Sequence, residues 1–131
     1  MLVPCEVAVR CVLPVLRAMV AKRLVRDYGL KQVEAAKLLG VSQSAVSLYN
    51  RKLRGRALDL EEDGDIAAMA DEIAKRLVEG NMKPKDFALM MCEACKLVRC
   101  KGFMCELHGA LDPSVDPKNC DLCSVVKFDC Y

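Results

Sequence analysis

Tryptophan is absent from this chain of 131 residues, only three Tyr and three Phe occur, and there is a single His. Aromatics make up 5% of a sequence whose hydrophobic fraction is 53%. A core must therefore be assembled from Leu, Val, Ala and Met, and the apolar content is too high for a disordered chain. Strand-like alternation of apolar and polar residues is nearly missing, which argues for helices. Catalytic signatures are also missing. No Ser-His-Asp set, phosphate loop or pair of catalytic carboxylates is evident, and one His leaves little room for acid–base chemistry, so no enzymatic activity is expected.

Long apolar runs are lacking as well. The stretch 2–20 is interrupted by Glu6, Arg10 and Arg17 and never reaches the unbroken length that a bilayer requires. It does not show the basic, apolar and small-residue order of a signal peptide. The expectation is a cytoplasmic protein with no membrane association. Its length suits one small domain, or two subdomains joined by a helix.

What is present is unevenly distributed. The net charge is only +2, but residues 1–56 carry eleven Lys and Arg against three Asp and Glu, a net +8, and residues 57–131 carry a net −6. A basic front half is the footprint of a polyanionic partner, and an acidic back half would be repelled by it. Nine cysteines are the second anomaly. Cys5 and Cys11 lie in an apolar segment and read as plain buried residues. The other seven fall between Cys92 and Cys130.

Punctuation by Gly, Pro and capping residues divides the chain into helices. Pro4 suits a first turn, and Pro14 opens a second helix after a break, running over 14–28 to Gly29. A helix over 31–39 ends at Gly40, and Ser42 caps another that reaches about residue 53 and ends at Gly55. Residues 57–64 form an acidic linker. Asp63 or Asp65 caps a helix whose stripe of Ile66, Met69, Ala70, Ile73 and Leu77 follows one face, with Gly80 and Asn81 closing it. Pro84 starts a helix carrying Phe87, Met90, Met91 and the first cysteines of the cluster. The fold class expected is all-α. It comprises a helix-turn-helix domain (1–60), a linker and dimerisation helix (61–83), and a Cys-rich region (84–131). The 66–77 stripe is equally readable as a dimer element or as ordinary intrachain core.

Residues 32–51, QVEAAKLLGVSQSAVSLYNR, carry the strongest local signal. Two short helices cross closely only if the contact is small and the turn tight. Ala36 allows the approach, Gly40 the turn, and Val41, Val46 and Tyr49 fill the space between. Ser42 caps the second helix, leaving Gln43, Ser44, Ser47 and Arg51 exposed where a major groove would lie. Glutamine can bond adenine edges in a bidentate manner, and serine can bond base or phosphate. Lys52, Arg54 and Arg56 follow and suit phosphate contacts. The segment resembles the Cro and phage-repressor class of helix-turn-helix proteins, in which one Gln opens the first helix and another begins the recognition helix, here Gln32 and Gln43. The resemblance implies that Gln32 braces Gln43 and a phosphate, and that Gln43, Ser44 and Ser47 face bases. It covers about fifty residues. The DNA-contacting set is then Gln32, Ser42, Gln43, Ser44, Ser47, Arg51, Lys52 and Arg54. The partner is double-stranded DNA, read as a palindromic operator by a homodimer, because a unit this small covers only a half-site.

The cysteine spacing from Cys92 to Cys130 is C-x2-C-x4-C-x4-C-x14-C-x2-C-x6-C. In a cytosolic chain such a cluster reads as metal ligands before disulfides. Zinc is the default for paired CxxC units. Against it, CEAC and CDLC lack flanking Gly, the cysteines outnumber the ligands of a zinc site, and FALMMC and GFMC are apolar and Met-rich, suiting a sheltered iron–sulfur cluster. The standard ferredoxin spacing is absent. The chain also resembles a family of archaeal regulators that begin near a PCE-V motif, here Pro4-Cys5-Glu6, and end in CxxC followed by C-x-x-H, here Cys92/Cys95 and Cys105-Glu106-Leu107-His108. That resemblance implies an iron–sulfur-dependent transcription factor with Cys92, Cys95 and Cys105 as ligands. Cys123 or Cys120 is the first choice for the fourth, and Cys100 the next. His108 is expected to hydrogen-bond nearby rather than to ligate. The function expected is a DNA-binding transcriptional regulator whose [4Fe–4S] cluster senses redox or iron–sulfur status. The alternatives are a zinc-stabilised DNA-binding protein without sensing and, from another class, an electron-transfer or cluster-assembly factor.

Overall fold

The structure, a computed structural model, describes residues 1–51, 55 and 57–125. It is all-α, with no strand among the described residues. The first helical stretch runs from α1 (Pro4–Val7) through a π-turn (Ala8–Val12) into α2 (Leu13–Arg26). No break occurs at Pro14, contrary to expectation. A proline inside a helix lacks an N–H and crowds the carbonyl four residues back. Widening the turn just before it provides the accommodation: the Leu13 N–H donates to the Ala8 carbonyl, five residues away, and the helix passes through.

Helix α2 is the centre of the molecule. It buries Val15, Leu16, Met19, Val20, Ala21 and Leu24, and α3 (Gln32–Leu39), α4 (Gln43–Asn50), α5 (Gly64–Glu79) and α6 (Pro84–Cys100) all pack on it. Two short helices, α7 (Cys105–Leu111) and α8 (Leu122–Val125), complete the order. Buried side chains from Val7 to Met104 form one contiguous cluster, so the basic front half and the acidic back half share a core.

The α5 stripe lies within that core. Ile66, Ala70, Ile73 and Leu77 of the expected stripe are buried, together with Ala74, against this chain's own helices, and Met69 is half-buried on the same core, so the stripe contributes to the intrachain core. Asp63, rather than Asp65, caps the helix, its Oδ1 accepting from the Asp65 and Ile66 N–H groups at 3.1 and 3.0 Å. Two ion-pair clamps hold α5. Arg23 of α2 donates to both carboxylate oxygens of Glu61 at 2.9 and 2.8 Å and also to Asp71. The hydrogen bond to Glu61 leads the rise in the Arg23 pKa. Reciprocally, hydrogen bonding from Arg23 holds the Glu61 carboxyl below its ordinary range. Lys101, following α6, reaches Asp63 at 2.8 Å and Asp65 at 2.7 Å.

Helix α7 and its C-cap clasp the start of the chain. Asp112 Oδ2 accepts from the Leu2 N–H at 2.8 Å, and His108 Nε2 lies 2.9 Å from the Leu2 carbonyl. Asp112 also accepts from the Ser114 hydroxyl, and this bond first, with the Leu2 N–H second, pulls its pKa down to about 2. Both sides of one backbone unit are thereby satisfied.

Gly55 does not end α4, which stops at Asn50. It sits at φ +71°, and a Cβ there would lie 2.5 Å from the Pro14 carbonyl oxygen and 2.7 Å from Ala18 Cβ. Gly55 thus lies directly on α2. Gly55→Ala is expected to destabilise the fold by about 1–3 kcal/mol through overpacking and left-handed strain. The check is the urea midpoint followed by helical circular dichroism, and an unchanged midpoint would refute the close approach.

Candidate nucleic-acid interface

Helices α3 and α4 are positioned by local chemistry that the sequence displays openly. The Lys31 N–H donates to Glu34 at 3.2 Å and secures the start of α3. Gly40 ends it at φ +69°, a left-handed conformation that glycine adopts without a Cβ clash, and the Val41 N–H returns to the Ala36 carbonyl at 3.0 Å. Ser42 Oγ accepts from the Ala45 N–H at 3.1 Å and caps α4. The inward faces, Ala35, Ala36 and Leu39 on one helix and Ala45, Val46 and Tyr49 on the other, are buried. Small residues at the crossing let the two backbones approach.

The outward faces meet in a groove. Gln32, the first residue of α3, and Gln43, Ser44, Ser47, Leu48 and Arg51 of α4 and its end line a single concave surface. Gln43, Ser44 and Arg51 are exposed, while Gln32, Ser47 and Leu48 are half-buried. The first turn of α4, where the positive end of the helix dipole emerges, carries no acidic side chain. Five of the eight DNA-contacting candidates thus share this groove. Ser42 is the N-cap, its hydroxyl oxygen engaged by backbone. Lys52 and Arg54 lie outside the described residues. Leu48 is the lining residue that sequence reasoning passed over. Its signal was available, since it follows Ser44 by four positions and precedes Arg51 by three, the spacing of one helical face.

The cysteine region is different from its expectation. Cys92 and Cys95 stand on α6, Cys100 ends that helix, Cys105 starts α7, and Cys123 belongs to α8. Cys100, Cys105, Cys120 and Cys123 do line one cavity together with Arg99 and His108. Yet among the described residues no group of three or more His, Cys, Asp or Glu side chains could hold a metal ion. The eight described cysteines are free thiols, and Cys130 lies outside the described residues.

The surroundings give physical reasons. Helix α6 continues unbroken through Cys100, so Cys92 and Cys95 share one face while Cys100, five residues after Cys95, is turned away from it. The buried guanidinium of Arg99 lies among the thiols, 3.7 Å from Cys5 Sγ and hydrogen-bonded to Cys123, so these sulfurs already have a partner within the chain. Burial, first of all, pushes the Cys95 and Cys105 thiols up. His108 turns Nε2 to the Leu2 carbonyl.

The [4Fe–4S] cluster with Cys92, Cys95, Cys105 and Cys123 as ligands is therefore overturned, as are Cys120 and Cys100 as substitutes and zinc in its place. The sensing role and the electron-transfer alternative fall with them. Cys11 is buried as expected, but Cys5 is exposed, beside Arg99. The setting of Cys5 could not be read locally, because its Arg99 partner is 94 positions away.

No protein-family model, curated protein or solved structure matches the chain. No described helix is long and apolar enough to cross a membrane.

Proposed function

We propose that this chain is a sequence-specific duplex-DNA-binding protein that uses α4 as its recognition helix. One observation carries the reading. Gln32, Gln43, Ser44, Ser47 and Arg51, five side chains able to bond base edges or phosphates, converge on one groove whose opposite face is closed by apolar residues. The net +8 of residues 1–56, against a net −6 for residues 57–131, supports a polyanionic partner for the half that carries the groove. Two copies would read a two-fold symmetric site, each contributing one helix to a half-site. Their contact would use a surface other than the α5 stripe, which is buried within the chain.

The test is fluorescence anisotropy with the full chain and labelled duplexes, both random and selected from a random pool, across a salt series. The logarithm of affinity should fall linearly with the logarithm of salt, with a slope of about 0.9 per phosphate contact. At least one selected duplex should bind more tightly than the random one. Salt-insensitive binding, or none, would overturn the proposal.

A further inference from the structure

Leu48 is the odd member of the groove, the one apolar side chain among six lining residues. It is half-buried, yet among the described residues it is not one of the half-buried apolar side chains packed against the core. The core face of α4 is already formed by Ala45, Val46 and Tyr49. Leu48 therefore lends its surface to the groove, between Ser44 one turn before it and Arg51 at the groove's end.

The edges of B-DNA offer such a side chain little. Phosphates, ring nitrogens, carbonyl oxygens and amino groups all want polar partners, and a leucine facing them would desolvate them without return. In the major groove one base-edge group is apolar, the 5-methyl of thymine. We infer that Leu48 is a specificity determinant that reads a thymine by packing on its 5-methyl group. This rests on the DNA-binding reading of α4 and deepens it. The five-residue separation from Gln43 is about 7 Å along the helix axis, so the thymine lies a few base steps from the base facing Gln43. The half-site would then combine one base chosen by hydrogen bonds with one chosen by contact with a methyl group.

Deoxyuridine tests this cleanly, because it differs from thymidine only by that methyl and keeps every hydrogen-bonding group. Duplexes selected by the full chain from a random pool are resynthesised with each thymine in turn replaced by deoxyuridine, and affinities are measured by anisotropy. One thymine per half-site should lose affinity by about fourfold on replacement, the factor expected for burying a single methyl. Leu48→Ala should weaken binding to the thymine duplex by a similar factor and no longer distinguish the two, while Leu48→Met, which keeps an apolar reach, should still distinguish them. Circular dichroism of each variant shows that the helices are intact. Duplex binding that changes less than twofold at every deoxyuridine overturns the inference alone, as does a folded Leu48→Ala that still discriminates. If selection recovers no duplex, the DNA-binding reading falls and the inference with it.

Discussion

Ile73→Ala lowers the stability of the whole chain by about 2–5 kcal/mol, the expected cost of a cavity at a fully buried aliphatic position. Ile73 is 1% exposed at the middle of the α5 stripe, and α5 packs on both α2 and α6. Loss of its branched side chain leaves a void between helices that are held in place by the Arg23 and Lys101 clamps and cannot simply collapse. Urea unfolding followed by circular dichroism reads the effect as a lower midpoint, independent of protein concentration. A dimer-forming stripe would give the opposite signature, a small loss with a midpoint that moves with concentration. That outcome, or a loss below about 1 kcal/mol, would contradict the packing of α5 within the chain.

Gln43→Ala should lower the ratio of specific to random DNA affinity by about 5- to 100-fold, the worth of one bidentate base contact. Gln43 is exposed at the first position of α4, where it can reach a groove, and its removal takes nothing from the core. Arg51→Ala should behave differently. Placed at the groove's far end and carrying a positive charge, it should weaken specific and random binding together and reduce the salt slope by about one. The pair is diagnostic, because a shared loss of fold would depress both variants alike. A specificity ratio within twofold of wild type in Gln43→Ala would remove α4 from the role of recognition helix.

Much of the α3–α4 pair was legible in the residues because its determinants are local. The expected helix over 31–39 appears as Gln32–Leu39, since Gly40 and Ser42 act on their immediate neighbours through one left-handed turn and one cap. The capped helix stops at Asn50 rather than near residue 53, because no strong breaker marks its end and Gly55 answers to α2 instead. Pro14 misled for a related reason. Its steric clash was foreseen, but a π-turn absorbs it when the flanking faces, Val7 and Val12 before it and Val15 and Leu16 after it, are all held in the core.

The sequence by itself determined the all-α class, the turn and cap of α3–α4, and the separation of positive from negative charge, all consequences of residue type and short spacing. Tertiary structure alone decided what the amphipathic and cysteine-bearing faces meet. Periodicity says that Ile66, Ile73 and Leu77 share a face but not whether another helix of the same chain covers it. Spacing places Cys92 and Cys95 one turn apart but is silent about Arg99, whose buried charge, close to Cys5 and hydrogen-bonded to Cys123, occupies surroundings that a metal was expected to share. A ligand set requires several side chains to converge at a common distance. That convergence depends on how distant helices are set against one another, which no local pattern encodes.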